Sequence, residues 1–346
     1  MNAKTLVFQT LSFLRIPEIS LHGGSDAPRI FLYHGVHPWV PGYGIFNYRK
    51  KFVTPELFRQ ELLWIKRQFS VIPLSHLIER SNHDSRIPPR AAAITFDDGY
   101  ENNYQYAFPI LKEYKLPATF FLATDLVDGV APLWFDTLEF ALGHAHAGAL
   151  EVPFPSGIRR FPLATHAERT YADIIIRDAM KKMPGEERKK LLDHIIRATG
   201  KNLADSFRSS PYRGMTWEHA REMEEAGMAS APHTRTHPIL SRISLSEAKE
   251  EILSSRTRLE EELAHPLHVF AYPNGQKEDI TDDVVSLVKE SGFRAALTTI
   301  PRPIRTGEDL YLTPRIAIDG TPHFSVFKNH ASGVTHTLRR IRNPFK

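Results

Sequence analysis

Ala91-Ala92-Ala93-Ile94-Thr95-Phe96-Asp97-Asp98-Gly99-Tyr100 is an uncharged run that stops at two carboxylates and a glycine. Its first six residues carry no charge and have strand length, so they read as a buried β-strand. Asp97 and Asp98 then stand at the strand's C-terminal end. Neighbours on a regular strand face opposite sides, but Gly99 permits a sharp turn that lets both carboxylates reach one cavity. Asp-Asp-Gly is also a common turn composition, so the segment needs partners before it carries chemistry.

The same rhythm extends in both directions. Strands are expected at 29–34, 118–123, 228–231, 267–272 and 294–298, with a last one around 315–318. Helices are expected between them. One is opened by Thr54-Pro55-Glu56 and continues through Leu57, Phe58, Leu62, Ile65 and Phe69; others span 104–114, 217–226, 246–264 and 282–291. Thr54 caps the first and a Ser with acids in the first turn caps the 246–264 helix, and Gly227 and Gly292 end two of them. Strand–helix alternation implies parallel strands with helical crossovers, an α/β fold. The number of units suits a distorted or incomplete (β/α) barrel, whose chemistry collects at the C-terminal strand ends.

Residues 132–211 break this rhythm with Pro-rich joins around two helical patterns, near 165–183 and 186–199, and read as a helical insertion beside the site. The expected division is an N-terminal extension over 1–28, a catalytic domain over 29–330 with that insertion, and a basic tail over 331–346. Within the extension, Met1 to Leu14 reads as a short amphipathic helix ended by Pro17, packed on the core or lying on a membrane. It lacks a clean apolar core and a small-residue cleavage site, so a cleaved signal peptide is not expected. The expected location is cytoplasmic or at the inner face of the membrane.

The 346 residues include no cysteine, which removes disulfides, thiolate metal sites and cysteine nucleophiles. Any metal site must therefore use His, Asp, Glu and water. No apolar run is long enough to span a bilayer. Net charge is +4 with pI ≈ 9.1, and part of the excess lies in Arg339, Arg340, Arg342 and Lys346. These are either a frayed tail or a patch attracted to an anionic surface or polymer. No nucleic-acid-binding motif accompanies them.

The second chemical segment is His233-Thr234-Arg235-Thr236-His237-Pro238. Two histidines four apart on one helical turn present both rings to one side. Alone they could be structural; with Asp97 and Asp98 they complete a two-imidazole, one-carboxylate set for a divalent ion, with one carboxylate left free. That is the equipment of metal-assisted hydrolysis. A third segment, Phe270-Ala271-Tyr272-Pro273-Asn274-Gly275, ends a strand in a turn that exposes backbone N–H groups, which can act as oxyanion donors.

These three segments, in this order, resemble the polysaccharide deacetylase family, the NodB homology domain of carbohydrate esterase family 4. The resemblance covers roughly residues 29–320, least well in the insertion. It implies a distorted (β/α) barrel that removes acetyl groups from N-acetylated sugars with one divalent metal. It assigns Asp98, His233 and His237 to the metal, with zinc expected and cobalt or nickel as substitutes. It makes Asp97 the general base and the Asn274 N–H an oxyanion donor, and it places His34, Tyr100, Tyr272 and Pro273 against substrate. The sequence departs from the family at Ala271, where an arginine orienting the base is usual, and at Pro232, where Ser or Asn is usual. Arg315 is the expected substitute, paired with Asp97. The general acid stays open between His34 and His323. The resulting expectation is N-deacetylation of N-acetylhexosamine units in a bacterial surface polysaccharide or its lipid-linked precursor. Hydrolysis of another C–N bond, by a deformylase or a cyclic amidase, and an inactive carbohydrate-binding relative are the alternatives.

Overall fold

A computed structural model describes residues 3–23, 26–80, 87–200, 207, 210–335 and 338. At its centre lies a parallel sheet. Strands β1 (Arg29–Tyr33), β5 (Ala91–Phe96), β6 (Thr119–Leu122), β9 (Ala229–Pro232) and β12 (Ile316–Ala317) pair in the order β12-β1-β5-β6-β9, with β4 (Ser70–Val71) also pairing with the start of β5. All the pairs in this sheet are parallel. A short parallel pair, β10 (Val269–Ala271) and β11 (Ala295–Leu297), continues the ring. Leu267 donates to the Ser230 carbonyl at 2.8 Å on one side, and Leu297 bridges to Thr313, just before β12, on the other. The result is a distorted (β/α) barrel, joined by one or two backbone bonds where the ladder thins.

The helices form where capping and apolar spacing direct them. Helix α3 (Pro55–Gln68) starts with the Thr54 side chain accepting from the Leu57 N–H and buries Phe58, Leu62 and Ile65. Helices α10 (Trp217–Glu225), α11 (Leu245–Glu262) and α12 (Asp282–Glu290) are each capped by a Thr or Ser hydroxyl. Such caps satisfy backbone donors that the first turn leaves unpaired. The expected helix over 104–114 forms differently. It opens as a π-turn over Asn103–Ala107 and becomes α5 only at Phe108–Tyr114.

Between β6 and β9 the chain adds α7 (Trp134–Gly143), the antiparallel hairpin β7 (Ala149–Phe154) and β8 (Gly157–Pro162), and helices α8 (His166–Met180) and α9 (Gly185–Thr199). These elements bury their own apolar cluster, including Leu138, Leu142, Phe161, Ile176 and Ile195. The hairpin carries little apolar alternation on its exposed β8 strand, which hid it from a reading of periodicity.

The N-terminal segment also differs from expectation. Helix α1 (Ala3–Phe13) stops before Pro17, and Pro17 sits in the first turn of a second helix, α2 (Ile16–Gly23). A first-turn proline loses no helical bond, so it starts a helix more readily than it ends one. Phe8 is buried, and its carbonyl accepts from Asn329 Nδ2 on α13 (Phe324–Ala331). The tail cations Arg339, Arg340, Arg342 and Lys346 lie outside the described residues.

Candidate active site

The sheet order explains which side chains meet. Strand β1 lies between β12 and β5, with Tyr33 opposite Phe96 and Phe31 opposite Ile316. His34, just past β1, therefore stands beside Asp97, just past β5; the Asp97 N–H donates to the Tyr33 carbonyl at 2.9 Å. Arg315, just before β12, is two strands from Asp97 on the same end of the barrel.

Asp97 and Asp98 both line a cavity of about 350 Å³, together with His34, His233, His237 and Asn274. Adjacent carboxylates can share it because the backbone turns left-handed at Asp98, with φ 79°, and again at Gly99, with φ 89°. A non-glycine residue in that region is strained and is held there by its surroundings.

The fully buried Arg315 guanidinium grips Asp97 by both oxygens, at 2.6 and 2.7 Å, and donates a third bond to the Thr298 carbonyl at 3.0 Å. Burial alone would raise the Asp97 pKa, but the charge and hydrogen bonds of Arg315 outweigh it and hold the carboxyl below its ordinary value. Bidentate pairing of this kind also fixes the carboxylate's orientation.

His233 follows β9. Its Nδ1 lies 2.7 Å from the Ala271 carbonyl, which makes it the protonated nitrogen and leaves Nε2 free. That Nε2 lies 3.7 Å from Asp98 and 3.8 Å from Asp97. Burial lowers the His233 pKa to about 4, so the ring is neutral at pH 7. His237 brings its own Nε2 to 3.4 Å from Asp98. The two rings are not on a helical turn, as their spacing suggested. The loop after β9 is irregular, with φ 67° at Thr234 and 60° at His237, and the Thr234 hydroxyl accepts from the His237 N–H at 3.0 Å. Glu251 on α11 clamps the loop by accepting from the Arg235 and Thr236 N–H groups.

One ligand atom from each of Asp98, His233 and His237 lies within 4.8 Å of the others, and all three residues are buried. Asp98 Oδ2 has no hydrogen-bond partner although it is buried. An orphaned carboxylate oxygen beside two imidazoles, one of them steered by a backbone carbonyl, fits a divalent cation. Burial raises the Asp98 pKa, but His237 and His34 reverse this and hold it far below the usual carboxylate range.

The structure separates the remaining candidates. His34 is on the cavity wall and His323 is not. Burial lowers the His34 pKa, against the pull of Asp98 and Asp97. Asn274 lines the cavity at φ 61°, its side chain tied to Asp279. Tyr100, Tyr272 and Pro273, placed against substrate by resemblance, do not line it. Tyr100 is fully buried; its hydroxyl donates to Asp136 at 2.5 Å and accepts from Lys51 at 2.7 Å. Tyr272 donates instead to the Tyr311 carbonyl at 3.1 Å. The Tyr100 hydroxyl thus supports the cavity wall through Lys51, while the Tyr272 hydroxyl is turned toward Tyr311.

Other wall residues carried no motif. Trp134 and Phe135 open α7, and the Phe135 ring meets His237 edge-on at 5.1 Å. Arg49, Lys50 and Lys51 precede β3 (Phe52–Val53), and Lys181 follows α8. The aromatic pair in Leu133-Trp134-Phe135-Asp136 was the available signal for the first group; no signal marked the cations.

A sequence model of the polysaccharide deacetylase family matches residues 84–139 and 191–296; the interval between these blocks holds β7, β8 and α8. The poly-beta-1,6-N-acetyl-D-glucosamine N-deacetylase of Staphylococcus epidermidis is 35% identical over 74 residues, 21% of this chain and 25% of that protein. The putative polysaccharide deacetylase YxkH of Bacillus subtilis is 18% identical over 235 residues, 68% of this chain and 54% of that protein. The chain thus spans a quarter to about half the length of these curated relatives. The structure of the Streptococcus pyogenes deacetylase PplD, in complex with acetate, superposes with a TM-score of 0.55 at 18% identity, covering 85% of this chain and 93% of that one. The motifs at the barrel's C-terminal end, the matched blocks and the shared fold lead to one assignment: over residues 84–139 and 191–296 the chain carries the sequence pattern of the polysaccharide deacetylase family.

Proposed function

We propose that this protein is a metal-dependent hydrolase that removes N-acetyl groups from N-acetylhexosamine units of a bacterial surface polysaccharide or its lipid-linked precursor. The observation that carries this reading is the buried Asp98–His233–His237 trio with an arginine-clamped Asp97 beside it. The relatives named for deacetylation of an N-acetylglucosamine polymer support the choice of substrate.

Asp98, His233 and His237 would hold the ion, with zinc the choice that best suits two neutral imidazoles and one carboxylate. When bound, such an ion supplies Lewis-acid chemistry, polarising the acetyl carbonyl and acidifying water. Asp97 takes the proton of the attacking water, and Arg315 keeps it ionised and in one rotamer. The Asn274 N–H, at the cavity wall, donates to the oxyanion. His34 carries a proton to the leaving nitrogen as the C–N bond breaks, giving acetate and a free amine. The 132–211 segment supplies Trp134 and Phe135 as an apolar wall against the sugar.

The test is acetate release from a panel of N-acetylated oligosaccharides. Release from N-acetylhexosamine units is the expected result. Formate release from N-formyl sugars without acetate release would move the reading to a deformylase. Binding without any turnover would move it to a carbohydrate-binding relative.

A further inference from the structure

Five cations line the cavity from two places far apart in sequence. Arg49, Lys50 and Lys51 come from the segment before β3, Arg177 from α8 and Lys181 from its end. Arg177 pairs with Asp173 and Glu139, and Lys51 also has its counter-ion. Its ammonium bonds Asp136 and Tyr100 and lies 4.4–5.3 Å from the ring centres of Tyr100, Phe52, Phe135 and Tyr212.

The other three do not. Lys50 reaches the Thr321 hydroxyl at 3.5 Å, and Arg49 lies over the Tyr48 ring at 6.0 Å. Among the described residues, no carboxylate makes an ion pair within 4.0 Å with Arg49, Lys50 or Lys181. The wall's own carboxylates are engaged elsewhere. Asp97 holds Arg315, Asp98 faces the two histidines, Glu139 accepts from Arg177, Tyr212 and the Asn47 N–H, and Asp319 accepts from the Thr321 N–H.

Lys181 is half-buried, unlike a solvated rim lysine. Burial lowers its pKa, and so do the charges of Arg49 and Arg177. Asp178 and Asp279 pull the other way, but Asp279 is already bonded to Asn274 Nδ2 and the Gln276 N–H. Like charges gathered at a concave, partly desolvated surface focus a positive field and favour an anion there.

We propose that the cavity takes an anionic glycan, in which the N-acetylated sugar carries or adjoins a phosphate or carboxylate seated on Arg49, Lys50 and Lys181. This deepens the deacetylase reading and rests on it for the bond that is broken. Phosphate and carboxylate share the recognition chemistry: a compact anion met by two ammonium groups and a guanidinium.

The experiment compares kcat/KM for acetate release from two pairs of probes in low salt. One pair is an alternating glucuronate–N-acetylglucosamine oligosaccharide against a neutral N-acetylglucosamine oligomer of equal length. The other is N-acetylglucosamine 1-phosphate against the methyl glycoside of N-acetylglucosamine. In at least one pair the anionic member is expected to be favoured by about tenfold, equivalent to about 1.4 kcal/mol. The pair that shows it identifies the source of the charge. The ratio should fall toward one in the Arg49→Met/Lys181→Met double variant, survive in Lys181→Arg, and shrink as salt is raised. Ratios at or below one in both pairs, or a preference untouched by the double variant, would overturn the proposal. If no probe releases acetate, the failure is that of the deacetylase reading. Calorimetric binding of the same probes then decides the charge preference: tighter binding of an anionic probe supports it, and equal binding of both members overturns it.

Discussion

Arg315 and Asp97 lie 218 residues apart in sequence and meet through two bonds, of 2.6 and 2.7 Å, inside the barrel. The neighbouring Asp98 makes no such pair and keeps one oxygen unpartnered. Two adjacent carboxylates thus have different surroundings, and different environments assign different roles. Asp97→Asn is expected to retain metal content within a few-fold while kcat falls by about 10²–10⁴, the usual size of a general-base contribution. Metal analysis alongside steady-state kinetics checks this. Loss of metal in that variant would mean that the two roles are exchanged.

Arg315 sets the charge state of Asp97, so its removal should appear in the pH profile. With the guanidinium gone, burial acts on Asp97 unopposed by its main partner and raises its pKa. The acid limb of kcat/KM for Arg315→Met should therefore move up by about 1–3 pH units. Arg315→Lys, which keeps the charge but not the fork, should move it less. A limb that stays in place in Arg315→Met would show that another group controls the base.

His34 and His323 were equivalent candidates in the sequence and are separated by the structure, since only His34 lines the cavity. His34→Gln is expected to lower kcat by about 10²-fold or more, the scale of a lost general acid. His323→Gln should leave kcat within about twofold, as a surface substitution away from the site does. The reverse pattern in steady-state kinetics would transfer the role to His323.

Stability should also depend on pH in the metal-free protein. Burial pushes the pKa of His233 down to about 4 and lowers that of His34 from its ordinary value of 6.5. A folded pKa below the unfolded value means that unfolding takes up protons once the pH drops below about 6.5. Stability is then complete above that pH and is lost as the pH falls toward about 4. Each such histidine contributes a slope of up to about 1.4 kcal/mol per pH unit within the window. Denaturant melts between pH 7.5 and pH 5 measure this. A flat profile over that range would mean that both rings are free to protonate in the folded state.

Much of this layout is legible in the chain because strand ends and turns carry strong local signals. The run Ala91 to Phe96 has strand length and no charge, and β5 spans those residues. Thr54 marks a helix start by composition alone and the structure shows it capping; a Ser cap is also legible for the helix expected over 246–264, where Ser244 caps a helix that begins at Leu245. Arg315 could be singled out because Ala271 left a known position empty and because the last strand of a barrel neighbours the first. The rest depends on three-dimensional placement. Tyr100 belongs to the most specific motif in the chain, yet its hydroxyl is committed to Asp136 and Lys51, partners distant in sequence. The loop joining His233 to His237 mimics helical spacing while using left-handed backbone. Lys181 reaches the cavity only through the packing of the inserted helices, and Arg49 through an irregular segment.

The central claim is that one divalent ion held by Asp98, His233 and His237 is needed to hydrolyse an N-acetyl group. It is tested most directly by acetate release from an N-acetylated oligosaccharide before chelation, after chelation and dialysis, and after adding back one equivalent of zinc. Release that disappears on chelation and returns with that equivalent is the expected result, with no return in His237→Ala. Release that persists at full rate in chelator-treated, metal-free protein would contradict it.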